Sequence, residues 1–145
     1  MILAPYHAAV RRFVRRGCAE ISGGLDARAL ARFSDDAVLQ FSGDHVLGGV
    51  LQGRIAAAGW FCRVRRYFPT LTVTPLQIVV DGLPWNTTTA TRFWVDATMP
   101  DGTLYHNEGI QFLRIVWGRI VEARVYEDTD VLKNALLRMR ERIPA

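Results

Sequence analysis

Polar side chains that could move a proton lie near the ends of predicted strands in the C-terminal half of the chain. Asn107 lies in one such strand, and Tyr126 and Asp128 close the next one, after a tight turn at 117–118. Burying a polar group without a partner costs free energy, so polar groups at these points of otherwise apolar strands indicate a site. A carboxyl group beside a phenol and an amide suits general acid–base chemistry.

Four further residues have side chains that could contribute to such a site. His45 follows an acidic residue in a glycine-rich loop, and Arg92, Trp94 and Asp96 share one face of a predicted strand. An indole usually favours burial, so Trp94 argues that this face lines a pocket.

Each candidate also has a purely structural interpretation, which the sequence leaves open. Asp128 immediately precedes a predicted helix and could simply cap its first turn. Arg92 and Asp96 could form an ion pair on a solvent-facing strand, and a single loop histidine such as His45 could be structural or solvated. Asn107 could face either side of the sheet, because its two neighbours point to the opposite side.

The composition excludes several classes of protein. The chain has 145 residues, half of them hydrophobic and 22% charged, which predicts one folded domain with a real core rather than disorder. The formal net charge is +4, but residues 1–16 contribute +4 and residues 133–142 contribute +3, so the remainder carries −3. The basic excess therefore lies on two terminal helices, which predicts solvated helix faces and no nucleic-acid partner.

Short motifs argue against a cofactor, a metal and a membrane. The chain contains no phosphate-binding glycine loop, no His-x-x-x-His pair and no Gly-x-Ser-x-Gly elbow, so we expect no dinucleotide cofactor and no catalytic metal. No apolar run approaches the roughly 20 residues that span a bilayer, and the N-terminal order of apolar and basic residues is the reverse of a secretory signal. Cys18 and Cys62 lack metal-ligand spacing and are expected to be buried free thiols in a cytoplasmic protein.

Periodicity predicts helices first and strands last. The predicted helices are 6–22, a short helix from a capping Asp26 through Phe33, about 54–68, and a closing helix after residue 129. The predicted strands are 38–41, 71–80, 86–98, 103–116 and 119–127, with a loop or short hairpin around 43–53. Four consecutive antiparallel strands indicate the α+β class, and helices on one face of a long curved sheet would leave a concave pocket.

This order of elements resembles a known family. The motifs that carry the resemblance are Gly43-Asp44-His45-Val46-Leu47-Gly48-Gly49, Gly53-Arg54, Phe68-Pro69, Trp85-Asn86, Asn107-Glu108-Gly109, Trp117-Gly118-Arg119 and Tyr126-Glu127-Asp128-Thr129. From about residue 7 to residue 138 the chain resembles the SnoaL-like branch of the nuclear transport factor 2 superfamily, which also includes ketosteroid isomerases and limonene-type epoxide hydrolases. The resemblance implies a cone-shaped curved antiparallel sheet with helices packed on its concave face, in a single SnoaL-like domain spanning 1–145.

The resemblance also implies roles for individual residues. Asp128 looks like the carboxylate that acts as acid or base in polyketide cyclases and epoxide hydrolases, and an inward-facing Asn107 would donate to a substrate carbonyl. Arg92 looks like the arginine that the hydrolases place beside an aspartate, but Trp94 stands where they carry that aspartate, so the hydrolase pair is incomplete. The expected catalytic set is Asp128, Tyr126, Asn107, His45, Arg92 and Asp96, and the expected substrate-binding set is Trp94, Trp85, Phe41 and Trp60.

We therefore expect a small cofactor-independent enzyme that uses acid–base chemistry on a hydrophobic, cyclic or polyketide-like metabolite, as a cyclase, isomerase or dehydratase. The alternatives are a limonene-type epoxide hydrolase and a non-catalytic ligand-binding or dimerisation module. The long strands, such as 86–98, are rich in Thr, Val, Phe and Trp, and we expect them to be too apolar for one face to meet water, which predicts a homodimer formed by the outer faces of the sheets.

Overall fold

A computed structural model describes residues 3–140 of the chain. The helices are α1 (Leu3–Ser22), α2 (Asp26–Leu30), α3 (Arg54–Tyr67) and α4 (Thr129–Arg138). The strands are β1 (Phe33–Phe41), β2 (Gly49–Gln52), β3 (Thr72–Leu83), β4 (Asn86–Thr98), β5 (Leu104–Val116) and β6 (Arg119–Glu127). None of the described helices combines the length and apolar character needed to cross a bilayer.

The strands form one six-stranded sheet in the order β2-β1-β6-β5-β4-β3. Strands β3 to β6 make an antiparallel meander, β2 pairs antiparallel with β1, and β1 joins β6 in parallel. The sheet is curved and mostly antiparallel, and the helices complete an α+β architecture. The predicted fold class, including the four-strand meander, is confirmed.

Strict alternation along the long strands separates an inner face from an outer face. In β4 the odd-numbered positions from Thr87 to Ala97 are buried, and the even-numbered positions are exposed or partly exposed. Helix α1 packs its buried residues Val10, Val14 and Cys18 toward this inner face, and α3 adds Trp60. The core therefore lies between the sheet and the helices, as period-2 and period-3.6 patterns require.

Two predictions about the second helix need correction. The second helix ends at Leu30 rather than at Phe33, because Phe33 already pairs with Ile120 in the sheet. Asp26 does not cap that helix: Leu25 is the N-cap residue, and the Asp26 carboxylate instead accepts hydrogen bonds from Arg65.

The structure also corrects the prediction for one of the two thiols. Cys18 is buried, as expected, and burial raises the pKa of its thiol to about 11. Cys62 is exposed, so the prediction of a second buried thiol is wrong. Cys62 lies on the exposed face of α3, whereas Trp60 and Val64, two residues before and after it, lie on the buried face.

Gly109 occupies a tight position at the centre of β5. A Cβ atom placed there would lie 2.6 Å from the backbone oxygen of Tyr126 and 2.7 Å from the ring of Phe93. The Tyr126 oxygen belongs to the backbone of β6 and cannot move without disturbing the sheet, and the Phe93 ring is confined by the core in which it is buried. Gly109 therefore lets β4, β5 and β6 approach closely where β6 ends.

We expect Gly109→Ala to lower the free energy of unfolding by about 1–3 kcal/mol, as overpacking does in a well-packed core. The matched control is Gly59→Ala in α3, where an added Cβ meets no atom within 4 Å. That variant should gain about 0.5–1 kcal/mol, because alanine favours a helix more than glycine does. Urea denaturation measures both changes, and equal stability of Gly109→Ala and the parent protein would contradict the packing argument.

Candidate functional site

A mostly apolar cavity lies between the inner face of the sheet and the helices. Its volume is about 130 Å³, close to that of the engineered cavity of about 150 Å³ that accepts benzene. Its wall is built mainly from aromatic and aliphatic side chains, among them Phe13, Phe41, Trp60, Phe93, Leu113 and Leu132. A few polar groups reach this wall, and they are Arg32, Tyr105, Gln111 and Glu127. This combination of an apolar wall and few polar groups is typical of small-molecule sites.

Glu127 provides the carboxyl group of the cavity. It is the last residue of β6, and alternation along that strand turns Ala123, Val125 and Glu127 toward the cavity. Directly across the ladder from Glu127 is Gly109, which has no side chain to fill the space. The carboxyl group therefore enters the cavity at the point where the facing strand leaves room.

Two neighbours on β5 hold one oxygen of this carboxyl group. The Tyr105 hydroxyl donates to Glu127 Oε1 at 3.0 Å, and Asn107 Nδ2 donates to the same oxygen at 3.3 Å. Asn107 Nδ2 also lies 2.7 Å from the Tyr105 oxygen and 3.0 Å from the carbonyl oxygen of Asp128. No described residue donates to Glu127 Oε2, so this second oxygen is available to a ligand.

The surroundings shift the proton affinity of these groups. Burial of its carboxyl group raises the pKa of Glu127 from 4.5 to about 7, and the hydrogen bonds from Tyr105 and Asn107 offset only part of this rise. Burial, and then the nearby charge of Glu127, raise the pKa of Tyr105, so its phenol remains a donor. At neutral pH the cavity thus contains a carboxyl group poised to take up or release a proton.

Three of the predicted site residues lie at or beside this cavity. Phe41 and Trp60 line it, and the Trp60 indole Nε1 donates to the carbonyl of Leu47 at 2.8 Å. Asn107 faces inward and is only 4% exposed. Its amide is already engaged by protein acceptors, so in this structure it orients Glu127, and its predicted donation to a substrate carbonyl stays a prediction.

Asp128, the predicted acid or base, and Tyr126, predicted to help hold the carbonyl, do not line this cavity, so their predicted position in the pocket is wrong. The exposed carboxylate of Asp128 caps α4, where its Oδ1 accepts from the backbone N–H groups of Asp130 at 3.1 Å and Val131 at 3.3 Å. Tyr126 lies on the outer face and packs edge-on against Phe112. Successive side chains of an extended chain point to opposite faces, so Tyr126 and Asp128 point away from the face that Glu127 occupies.

Arg92, Trp94 and Asp96 also lie on the outer face, and their predicted position in the pocket is wrong. Arg92 pairs with Glu108 at 2.9 Å, and Asp96 pairs with His106 at 2.6 Å. Trp94 is 43% exposed between them. Phe93 and Val95, which alternate with these three residues along β4, occupy the inward positions.

The last two predicted residues, Trp85 and His45, also lie outside the cavity wall. Trp85 is exposed at the β3–β4 turn, where the centroid of its ring lies 6.1 Å from that of Trp117. His45 uses both ring nitrogens within its loop, since Nε2 donates to the Ser42 carbonyl and Nδ1 accepts from the backbone N–H of Leu47. Burial lowers the pKa of His45, and both of its ring nitrogens are engaged within the loop.

Glu127, Tyr105 and Gln111 were missed in the sequence, although the pattern contained a signal for them. An inward Asn107 requires Tyr105 and Gln111 to face the same side, because they are two and four residues away on one strand. In β6 the apolar residues at 123 and 125 indicate the inner face, and Glu127 continues that series.

Residues 3–140 contain no group of three or more His, Cys, Asp or Glu side chains arranged to hold a metal ion. The cavity and sheet instead define the class of protein. A cone of curved antiparallel sheet closed by helices is the nuclear transport factor 2-like fold, which the neighbouring solved structures share. The model of the SnoaL-like domain matches residues 10–123, and the chain belongs to this family.

Three solved structures illustrate the likeness. PrhC from Penicillium brasilianum is 16% identical over 88% of this chain and 85% of that chain, with a TM-score of 0.75. TerC, co-crystallized with polyporic acid, is 12% identical over 86% and 95%, with a TM-score of 0.74. AclR from Streptomyces galilaeus, a candidate hydroxylase, is 19% identical over 94% and 98%, with a TM-score of 0.70. At these identities the likeness to solved structures shows the fold alone. A separate comparison with curated proteins found no match to the sequence of this chain.

The raised pKa of Glu127 predicts a pH dependence of stability. The folded protein keeps this proton up to about pH 7, whereas the unfolded chain releases it near pH 4.5. The stabilisation that this retained proton gives the folded protein is therefore complete below pH 4.5, and it is lost as the pH rises through about 7. Relative to Glu127→Gln, the parent protein should lose about 3 kcal/mol of unfolding free energy across this range. Urea denaturation at several pH values measures the difference, and parallel curves for the two proteins would contradict it.

Proposed function

We propose that this protein is a cofactor-independent acid–base enzyme that acts on a hydrophobic cyclic or polyketide-like metabolite containing a carbonyl group. The observation that carries the proposal is the Glu127 carboxyl group, whose pKa is raised to about 7 inside an apolar cavity. A general acid or base works best when its pKa is close to the working pH. A cyclase, isomerase or dehydratase would each use such a group.

In the proposed reaction, Glu127 Oε2 takes a proton from the carbon beside the substrate carbonyl. The bonding electron pair moves into the carbonyl, which leaves an enolate and a neutral carboxylic acid. Return of the proton to another carbon conjugated with the enolate completes an isomerisation. Transfer of the proton to a hydroxyl that leaves the adjacent carbon with its bonding electrons completes a dehydration. Attack by the enolate carbon on a second carbonyl carbon of the same substrate closes a ring, and the oxygen of that carbonyl takes the electron pair and then the proton. Tyr105 and Asn107 hold the other oxygen, so the base is oriented before the substrate enters.

The epoxide-hydrolase alternative has less support. That chemistry was expected from Asp128, Arg92 and Asp96, whose side chains lie outside the cavity. Arg32 does reach the cavity wall, but its guanidinium is paired with Glu20 at 3.0 Å and stacks over the ring of Phe13. Glu127 is the one carboxylate among the described residues that line the cavity, so the lining offers no second carboxylate to activate water with it.

Hydrogen–deuterium exchange of a simple ketone tests the proposal. We expect the protein to accelerate exchange of the α-hydrogens of 2-indanone in D₂O, which proton NMR follows directly. Glu127→Gln should slow this exchange by about 10²–10⁴-fold, because it removes the titratable group and keeps the shape. The rate in the parent protein should rise with pH through about 7, since only the ionised carboxylate accepts a proton.

Asp128→Asn is the matched control, because it replaces a neighbouring carboxylate that caps α4 and does not line the cavity. Asparagine caps a helix about as well as aspartate, so this variant should exchange the ketone at the parent rate. A folded Glu127→Gln variant that exchanges 2-indanone at the parent rate would remove Glu127 as the base. If the parent protein binds 2-indanone and exchanges it no faster than the buffer alone, the non-catalytic binding module replaces the enzyme.

We also propose that two copies of the chain pair through the outer face of β4, β5 and β6. This face exposes Trp94, Ile110, Phe112 and Tyr126, each between 37% and 43%. A cluster of large apolar groups on one sheet face is typical of an interaction surface, and twofold pairing would bury it against itself.

Sedimentation at micromolar concentration should give twice the chain mass. Phe112→Glu should shift the protein to a monomer, because a charge would be buried at the centre of the interface. Ile55→Glu is the control, since Ile55 is 91% exposed on α3 and lies away from this face. A parent protein that sediments as a monomer would overturn the pairing.

A further inference from the structure

Two threonine hydroxyls on the inner face of β4 are buried without a hydrogen-bond partner in the described part of the chain. Thr89 and Thr91 are both 0% exposed, and neither Oγ1 atom has a partner. Thr87, on the same face, differs because its hydroxyl donates to the carbonyl of Leu83 at 2.7 Å. Buried polar groups are nearly always hydrogen-bonded, so each orphaned hydroxyl requires an explanation.

The neighbours of the two threonines differ in one respect. Thr89 lies opposite Val80 on β3 and Leu113 on β5, so both of its cross-strand neighbours are apolar. Thr91 lies opposite Gln111 on β5. Residues directly opposite in an antiparallel pair have Cβ atoms about 4.5–5.5 Å apart, which puts the Gln111 amide within reach of the Thr91 hydroxyl.

Gln111 connects this buried hydroxyl to the cavity. Its side chain lines the cavity wall and makes no hydrogen bond to another residue within 3–140. An amide offers one acceptor oxygen and two N–H donors. When Gln111 Oε1 accepts from Thr91, the Nε2 donors are left for a group inside the cavity.

The position of Gln111 relative to Glu127 fits a carbonyl substrate. Glu127 lies opposite Gly109, and Gln111 is two residues further along the same strand and on the same face. Such diagonal neighbours are about 7–8 Å apart. A ring that carries its carbonyl oxygen toward Gln111 would present the adjacent carbon toward Glu127.

We propose that Gln111 Nε2 is the donor that holds the carbonyl oxygen of the substrate, and that Thr91 is the positioning residue that orients the Gln111 amide. This inference rests on the proposed function, because it names the carbonyl whose neighbouring carbon loses a proton to Glu127. The proton passes to Glu127 Oε2, the electron pair moves onto the carbonyl oxygen, and Gln111 donates to that oxygen throughout. The substrate class is then a compact cyclic ketone.

Two ligands that differ only in the carbonyl group test this assignment. Isothermal titration or NMR titration gives the dissociation constants of 2-indanone and indane, and the ratio of the two constants reports the carbonyl contact. Gln111→Leu should reduce the preference for 2-indanone by roughly 3–10-fold, the range expected for one neutral hydrogen bond. Thr91→Val should reduce the same ratio, because the amide then lacks the hydroxyl that orients it when the ligand binds.

Thr89→Val is the matched control, since it removes an equally buried and unpartnered hydroxyl from a position with apolar neighbours. In this variant the ratio of the dissociation constants of 2-indanone and indane should equal that of the parent protein. An unchanged ratio in Gln111→Leu, or an equal change in Thr89→Val and Thr91→Val, would overturn the assignment. Replacing an unpartnered buried hydroxyl by a methyl group does not cost a hydrogen bond, so Thr91→Val should fold and carries the test if Gln111→Leu does not.

The binding ratio and the exchange rate separate this inference from the proposed function. If Glu127→Gln exchanges 2-indanone at the parent rate while Gln111→Leu loses the carbonyl preference, the catalytic role of Glu127 fails and the Gln111 contact stands. If Glu127→Gln is slow while Gln111→Leu keeps the preference, the contact fails and the catalytic role stands.

Discussion

A single carboxyl group inside an apolar cavity is the feature on which the rest of this site depends. Glu127 can enter the cavity because the facing residue, Gly109, leaves space that any side chain would fill. It stays oriented because Tyr105 and Asn107 donate to one of its oxygens. The close approach of three strands, the two donors and the apolar wall therefore act together, and none of them alone would produce a usable acid or base.

Two opposing effects set the proton affinity of this group. Removing a carboxylate from water favours its neutral form, while hydrogen bonds to the charged form favour ionisation. Here desolvation is the larger effect, and the pKa remains at about 7 despite two donors. The difference corresponds to about 3 kcal/mol that the folded protein gives up at neutral pH. A site of this kind thus reduces stability in the pH range where it is useful, which is a common trade-off in active sites.

The sequence predicted the architecture much better than the site, for a physical reason. Long-range alternation and turn signals define β4, β5 and β6, and the observed bounds of 86–98 and 119–127 match the predicted ones. A site depends on which face each residue occupies, and an error of one position reverses that face. Asp128 was the predicted acid or base, but its position just after β6 makes it the N-cap of α4. Glu127, one residue earlier, continues the inward series.

The inner face of β5 unites the two halves of the site. Tyr105, Asn107 and Gln111 lie on that face with a two-residue period, and Gly109 interrupts the series where the carboxyl group of β6 enters. One strand thus orients the base at one end and offers an unpaired amide at the other. Because a strand is rigid along its length, the separation between these points is fixed before any ligand arrives. In the reaction proposed above, selectivity would come from the spacing of polar groups along β5, since the apolar wall accepts many shapes.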